Sequence, residues 1–86
     1  MKVKLSTGVW DVDDSTFKGC TVYDSRDLFV PARGAQTKDY MDTCVHEALH
    51  ASRRSFTESE VVKLAADVTA VLWAMGYRKR TKKASS

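Results

Sequence analysis

The chain has 86 residues, 43% of them hydrophobic, with one proline and four glycines, which suits one small globular domain and excludes a second core. The formal net charge is +3, but five of the fourteen basic residues lie within residues 78–83, so residues 1–77 carry nine positive and eleven negative charges. A slightly acidic body excludes the kind of nucleic-acid-binding domain that spreads Lys and Arg over a folded face. We therefore expect one domain, residues 1–77, followed by a basic, disordered tail, residues 78–86.

The residues at the start of the chain and the length of its apolar runs indicate the cellular compartment that we expect. Residues 1–5 reach the turn-like Ser6-Thr7-Gly8 before any apolar segment develops, and no run approaches eighteen apolar residues. We therefore expect neither a secretory signal nor a membrane span. Cys20 and Cys44 are then expected to be free thiols in a reducing cytoplasm. Because so small a core has a marginal hydrophobic area, metal binding is the support that we expect the fold to use.

The residue pattern in the first half of the chain predicts short β-strands. Residues 3–5 and 9–12 flank a turn that contains glycine, and residues 20–23 are β-branched and aromatic. A last strand, residues 28–30, ends at Pro31, and because proline cannot donate to a sheet ladder we expect this strand at the sheet edge.

The second half predicts two helices. Apolar residues recur at spacings of three and four over residues 38–52, after Thr37 as a plausible N-cap. Thr57-Glu58-Ser59-Glu60 has the form of a capping box, and a second apolar stripe continues to Gly76, a typical residue just past a helix end. The predicted fold class is α+β: a short antiparallel strand meander packed on two helices.

The first predicted helix contains the motif H-E-x-x-H as His46-Glu47-Ala48-Leu49-His50. Residues four apart lie on the same face of a helix, so both imidazoles can reach one metal ion. In this motif the two histidines hold zinc and the adjacent glutamate is the general base that takes a proton from the activated water. The sequence therefore predicts Zn²⁺ bound by His46 and His50, with Glu47 as the catalytic base.

Three segments of the chain resemble a group of small zincin-like metallopeptidases that are common in bacteriophage genomes. They are Asp42-Thr43-Cys44-Val45-His46-Glu47-Ala48-Leu49-His50-Ala51, Glu58-Ser59-Glu60-Val61-Val62 and Val71-Leu72-Trp73-Ala74-Met75-Gly76-Tyr77-Arg78. The resemblance covers about residues 40–78. It implies a minimal zincin, in which an edge strand and the H-E-x-x-H helix are joined by a second helix that brings a third ligand. A phage-encoded protein of this kind would work in the host cytoplasm.

A catalytic zinc site needs a third protein ligand and one open position, and the chain has no third histidine. Glu60 and Asp67 flank the same edge of the apolar stripe on the second helix, two turns apart. We expect Glu60 as the third ligand, with Asp67 as the alternative and Cys20 or water as the remaining choices. A capping-box contact with Thr57 is the competing role for Glu60.

Other polar residues are candidates for supporting roles. Asp42 and Thr43 precede His46 by four and three residues, so either one could accept the outer imidazole N–H as a second-shell partner. For Asp42, helix N-terminal charge is an equally good explanation. The donor to a developing oxyanion stays open among four residues, which are Tyr23, Arg26, Arg53 and Arg54.

The leading functional hypothesis is a zinc-dependent hydrolase, a metallopeptidase acting on a peptide or protein substrate. An extended peptide could pair with the predicted edge strand at residues 28–30 and present its carbonyl to the metal. Two alternatives remain: a non-catalytic adaptor protein with a structural metal site, and a small nucleic-acid-associated protein that uses the basic tail. A nucleic-acid partner is disfavoured because the body of the domain is acidic, and no membrane partner is expected.

Overall fold

The computed structural model describes residues 1–16, 19–31 and 37–78, so most of the predicted tail, residues 79–86, lies outside the described residues. The fold is α+β, as predicted from the sequence. Its elements in chain order are β1 (Lys2–Leu5), β2 (Gly8–Thr16), β3 (Cys20–Val22), β4 (Asp27–Pro31), α1 (Lys38–Ser52) and α2 (Glu58–Ala74).

The four strands form a mixed sheet in the order β1-β2-β4-β3, not the antiparallel meander that the sequence predicted. β1 pairs with β2 and β3 pairs with β4 in antiparallel fashion, whereas β2 and β4 are parallel. After β2 the chain runs to the far side of the sheet to form β3, and the turn at residues 23–26 returns it as β4 into the gap between them. Arg26 has a positive φ of 56°, which helps to close this turn.

The prediction of an edge strand at residues 28–30 is also wrong, because β4 is an interior strand. Leu28 and Val30 are buried, and both sides of β4 carry paired strands. Pro31 is the last residue of β4, where its missing N–H matters least. Among the described strands the two edges are therefore β1 and β3.

One face of the sheet packs on α1, and α1 packs on α2, so that α1 is the middle layer. The core cluster joins Trp10 of β2, Leu28 of β4 and Ala51 near the end of α1. A chain of hydrogen bonds fixes this junction: the Trp10 indole donates to Thr7 Oγ1 at 2.8 Å, and the Thr7 hydroxyl donates to the carbonyl of Ala51 at 2.6 Å. The β1–β2 turn is thereby tied to the C-terminal end of α1.

Both helices begin at the caps that the sequence predicted. The backbone N–H of Tyr40 donates to Thr37 Oγ1 at 3.1 Å, and that of Glu60 donates to Thr57 Oγ1 at the same distance. The Thr57 N–H donates in return to Glu60 Oε1 at 2.8 Å, which completes a capping box. In the described part of the chain neither helix has the length and apolar character needed to cross a membrane.

α2 has two different apolar faces. Val61, Ala65 and Thr69 are buried on the side that packs against α1. A second set of apolar side chains is exposed, consisting of Leu64, Val68, Val71 and Met75. The single apolar stripe predicted from the sequence therefore combines a buried face of α2 with an exposed one. The difference between these two faces decides which residues of α2 lie near the candidate functional site.

Candidate metal centre

His46 and His50 lie one turn apart on α1 with their imidazole rings adjacent. The ring centroids are 5.0 Å apart, and both side chains are largely buried, at 20% and 17% exposure. The i, i+4 spacing on a helix produces this arrangement. Two imidazoles placed in this way can present two nitrogen ligands to one ion.

Glu58, the first residue of α2, supplies the third group. Its Oε2 lies 3.1 Å from Nε2 of His46, and its Oε1 lies 2.9 Å from Nε2 of His50. Candidate ligand atoms of these three residues all lie within 4.8 Å of one another. Tetrahedral zinc with bonds of about 2.0–2.1 Å needs ligand atoms about 3.3 Å apart, so the His/His/carboxylate set fits this ion with little movement.

The third carboxylate differs from the sequence prediction. Glu60 is occupied by the capping box, and the Thr57 N–H that donates to its carboxylate lowers the pKa of Glu60 below its ordinary value. Asp67 and Cys20 are exposed and, like Glu60, do not belong to the cluster with the two histidines. The structure groups Glu58 with the histidines instead.

Glu58 and Glu60 make different contacts because they lie on different faces of α2. Glu58 precedes Val61 by three residues and Ala65 by seven, so it shares the face that packs against α1. Glu60 is two residues further along and points off that face. In the sequence, the spacing of Glu58 from Val61, Ala65 and Thr69 places these four residues on one helix face and could have identified Glu58. The larger apolar residues on the exposed face of α2 made the buried face harder to recognise.

Glu47 is oriented by the edge strand β3 rather than by the two histidines. The Thr21 hydroxyl lies 2.6 Å from Glu47 Oε1 and donates to it. Gly19 comes just before β3, and a Cβ built on it would lie 2.9 Å from Glu47 Oε2. The absence of a side chain at Gly19 therefore lets the backbone approach the carboxylate closely, and Glu47 is packed between α1 and β3.

An open cleft of about 300 Å³ connects these groups. Its lining combines the His/His/Glu cluster with Glu47 and two side chains of the β3 segment, namely Thr21, Tyr23, His46, Glu47, His50 and Glu58. Because the Glu58 side chain is 67% exposed, the cluster faces solvent on one side. An ion held by these three residues would be reachable by a water or a substrate oxygen from the solvent side.

Of the four candidates for an oxyanion donor, only Tyr23 lines this cleft. The guanidinium of Arg54 lies over the Tyr23 ring, 4.7 Å from its centroid, and that of Arg53 lies 5.4 Å from the centroid of Phe56. Arg26 lies beside Gly8 in the β1–β2 turn. Tyr23, and none of the three arginines, thus contributes to the cleft wall.

The predicted second-shell contacts to His46 are not formed among the described residues. The Thr43 hydroxyl donates to the backbone carbonyl of Asp39 at 3.1 Å, one turn back in its own helix. No hydrogen bond joins Asp42 to either histidine in this part of the chain. Helical spacing puts both residues on the same side of α1 as His46, but a threonine hydroxyl in a helix often bonds to a backbone carbonyl one turn back instead.

The chain matches no protein-family model, and no curated protein or solved structure is significantly similar to it. The geometry of the cleft therefore carries the functional argument.

Proposed function

We propose that this protein is a zinc-dependent hydrolase of the metallopeptidase type, in which His46, His50 and Glu58 hold zinc and Glu47 is the general base. One observation carries the proposal: two helix histidines and a carboxylate from a second helix converge, while the glutamate between the histidines stands apart in the same cleft. Zinc bound there would polarise a carbonyl and activate a water. The resemblance to small zincin-like metallopeptidases supports the same class.

The contacts of Glu47 suit a base rather than a ligand. Thr21 donates to one carboxylate oxygen, which restrains the side chain, and Glu47 lines the same cleft as the two histidines. The two histidines cannot take this role, because their Nε2 atoms already face Glu58. A base that is held in place before the reaction costs little reorganisation when the proton moves.

The edge strand β3 supports a peptide as the substrate class. Among the described strands β3 pairs with β4 alone, and Thr21 at its centre lies against Glu47. An extended peptide that adds to the open edge of β3 by backbone hydrogen bonds would pass beside the cleft. β3 replaces residues 28–30 in this role, since β4 is interior. Tyr23, at the end of the same segment, is the donor that we assign to the developing oxyanion.

The test separates metal binding from catalysis. We expect about one zinc per chain in protein purified without added metal, and loss of zinc in both His46→Ala and His50→Ala. Glu47→Gln should keep its zinc and its melting temperature but lose peptide hydrolysis by a factor of about 10²–10⁴, as expected when a general base is removed. A zinc content below a tenth of an equivalent, together with a melting curve unmoved by added zinc, would contradict the proposal.

A structural metal site without catalysis is the second candidate, and one observation favours it. Glu58 belongs to α2 and the histidines to α1, so a bound ion would cross-link the two helices. Zinc would then raise stability whether or not hydrolysis takes place. Retained zinc in the wild-type protein, with no hydrolysis of a diverse peptide library and no effect of Glu47→Gln on any function, would support this candidate.

A further inference from the structure

The exposed apolar face of α2 is a feature that the proposed hydrolase does not use. Leu64, Val68, Val71 and Met75 are 37%, 41%, 59% and 67% exposed. Their spacings of four, three and four residues place them in one row along the helix. We name this row the outer stripe. It is distinct from the buried face of α2, which contacts α1 through Val61, Ala65 and Thr69.

The position of α2 in the fold leaves the outer stripe uncovered. α1 lies between the sheet and α2, so α2 is the outermost layer and packs principally against α1. The outer stripe exposes on the order of 300–500 Å² of apolar surface, which is the size of the largest apolar patch on a typical monomer, and such patches are often functional. A heptad-like row of branched and flexible apolar side chains is the usual surface by which one helix packs against another.

We propose that the outer stripe is a dimerisation surface, which pairs α2 of one copy with α2 of a second copy in antiparallel orientation. The stripe is self-complementary in this orientation. A two-fold axis midway between Val68 and Val71 sets these two valines against each other, and the same axis sets Leu64 of one copy against Met75 of the other. The two pairs fill a continuous apolar seam about three turns long.

Charge favours the antiparallel orientation over the parallel one. Glu60 lies beside the outer stripe in the first turn of α2 and Arg78 follows the helix, so an antiparallel pair places an acidic end beside a basic end. The opposed helix dipoles add to this preference. Asp67, which borders the stripe, then lies near Ala74 of the second copy rather than near another carboxylate. A parallel pair would instead bring the two acidic first turns together.

Dimerisation of this kind leaves the metal cluster accessible. Glu58 is on the face of α2 that points to α1, whereas the outer stripe is on a flank of the helix. The inference therefore does not rest on the proposed hydrolase activity. The buried area, roughly twice the exposed stripe, is below that of a standard stable interface, so we expect a dissociation constant in the micromolar range or weaker.

Sedimentation equilibrium from about 5 to 500 μM tests the association. We expect the wild-type protein to shift from monomer to dimer over this range and Val71→Glu to stay monomeric, with a dissociation constant raised at least tenfold. Val62→Glu is the matched control, because Val62 is 51% exposed on the same helix but lies outside the stripe. Met75→Glu, at a still more exposed position, repeats the test if Val71→Glu lowers helix content by circular dichroism. A wild-type monomer at every concentration, or a dimer unaffected by both stripe variants, would overturn the proposal.

Disulfide trapping tests the orientation. In a Cys20→Ser/Cys44→Ala background, we expect a mixture of Leu64→Cys and Met75→Cys proteins to oxidise to the mixed dimer, while Leu64→Cys alone stays monomeric under non-reducing electrophoresis. In the antiparallel pair the two copies of residue 64 lie about 16 Å apart, too far for a disulfide. Efficient cross-linking of Leu64→Cys alone would overturn the antiparallel arrangement.

Discussion

The hydroxyl of Thr21, at the centre of the edge strand, donates to Glu47 Oε1 at 2.6 Å, and it is the contact that couples the sheet to the candidate catalytic carboxylate. The two residues are 26 positions apart in the chain. Their meeting depends on the parallel pairing of β2 and β4, which places β3 at the edge beside α1. The strand that would bind a peptide backbone thus also orients the base.

Thr21→Val removes this hydrogen bond and keeps the volume and the β-branched shape of the side chain. We expect hydrolysis to fall about tenfold, since one hydrogen bond to a charged group is worth about 1.5–3 kcal/mol and part of the loss is recovered by water. Zinc content should not change. Thr43→Val is the control, because among the described residues the Thr43 hydroxyl donates to the Asp39 carbonyl of its own helix. Equal activity in the two variants would remove Thr21 from the mechanism.

Three conservative substitutions test which carboxylate is the third ligand of the proposed zinc site. We expect Glu58→Gln to weaken zinc binding by roughly 100-fold or more, measured by competition with a chromogenic chelator, because a neutral amide replaces an anionic ligand. Glu60→Gln retains a capping acceptor and Asp67→Asn lies away from the cluster, so both should bind zinc like the wild type. Zinc affinity lost in Glu60→Gln and kept in Glu58→Gln would reverse the assignment.

The capping box makes the stability of the folded protein depend on pH in the acid range. The Thr57 backbone N–H and side chain lower the pKa of Glu60, so the ionised form stabilises the folded state. This contribution is complete above the ordinary glutamate pKa of about 4.3 and is lost as the pH falls through the lowered value in the folded protein. In zinc-free protein, the melting temperature of the wild type should exceed that of Glu60→Gln at neutral pH, and the two should converge in acid. A constant difference across this range would contradict the assignment.

Thr69 offers a route to a more stable protein. It is fully buried between the helices, and its Oγ1 has no hydrogen-bond partner in the described part of the chain. Thr69→Val replaces the hydroxyl by a methyl group of similar size, which should raise the free energy of unfolding by about 1 kcal/mol in thermal or urea unfolding. Thr69→Ala, which also loses a buried methyl group, should be less stable than Thr69→Val. A destabilised valine variant would show that the hydroxyl is satisfied in solution.

The parts of the fold that the sequence predicted correctly depend on local interactions. Thr37 and the pair Thr57 and Glu60 cap helices through contacts that span three residues, so their signals are readable in a short window. The H-E-x-x-H spacing likewise fixes the relative placement of His46 and His50 within one helix. The bounds of α1 follow from the same periodicity.

The parts that failed depend on contacts between distant segments. An antiparallel meander was expected from the turns between neighbouring strands, but the parallel pairing of β2 with β4 joins segments about sixteen residues apart and has no local signal. Glu58, the carboxylate that the structure groups with the two histidines, was not singled out in the sequence because it differs from Glu60 only in the helix face that it occupies. That face is identified by the burial of Val61, Ala65 and Thr69, and Thr69 is a polar residue that a hydrophobicity pattern does not mark as core.

Because α2 is the outermost layer, a metal bound as proposed would affect how long the folded protein survives. With α1 as its principal neighbour, α2 is the element that we expect to detach first in partial unfolding, while the sheet and α1 remain together. An ion held by His46, His50 and Glu58 would close the α1–α2 hairpin across its loop and suppress this opening in proportion to the free zinc concentration. Amide exchange and proteolytic cleavage in α2 would then report zinc availability, and zinc starvation would shorten the survival of the chain in the cell.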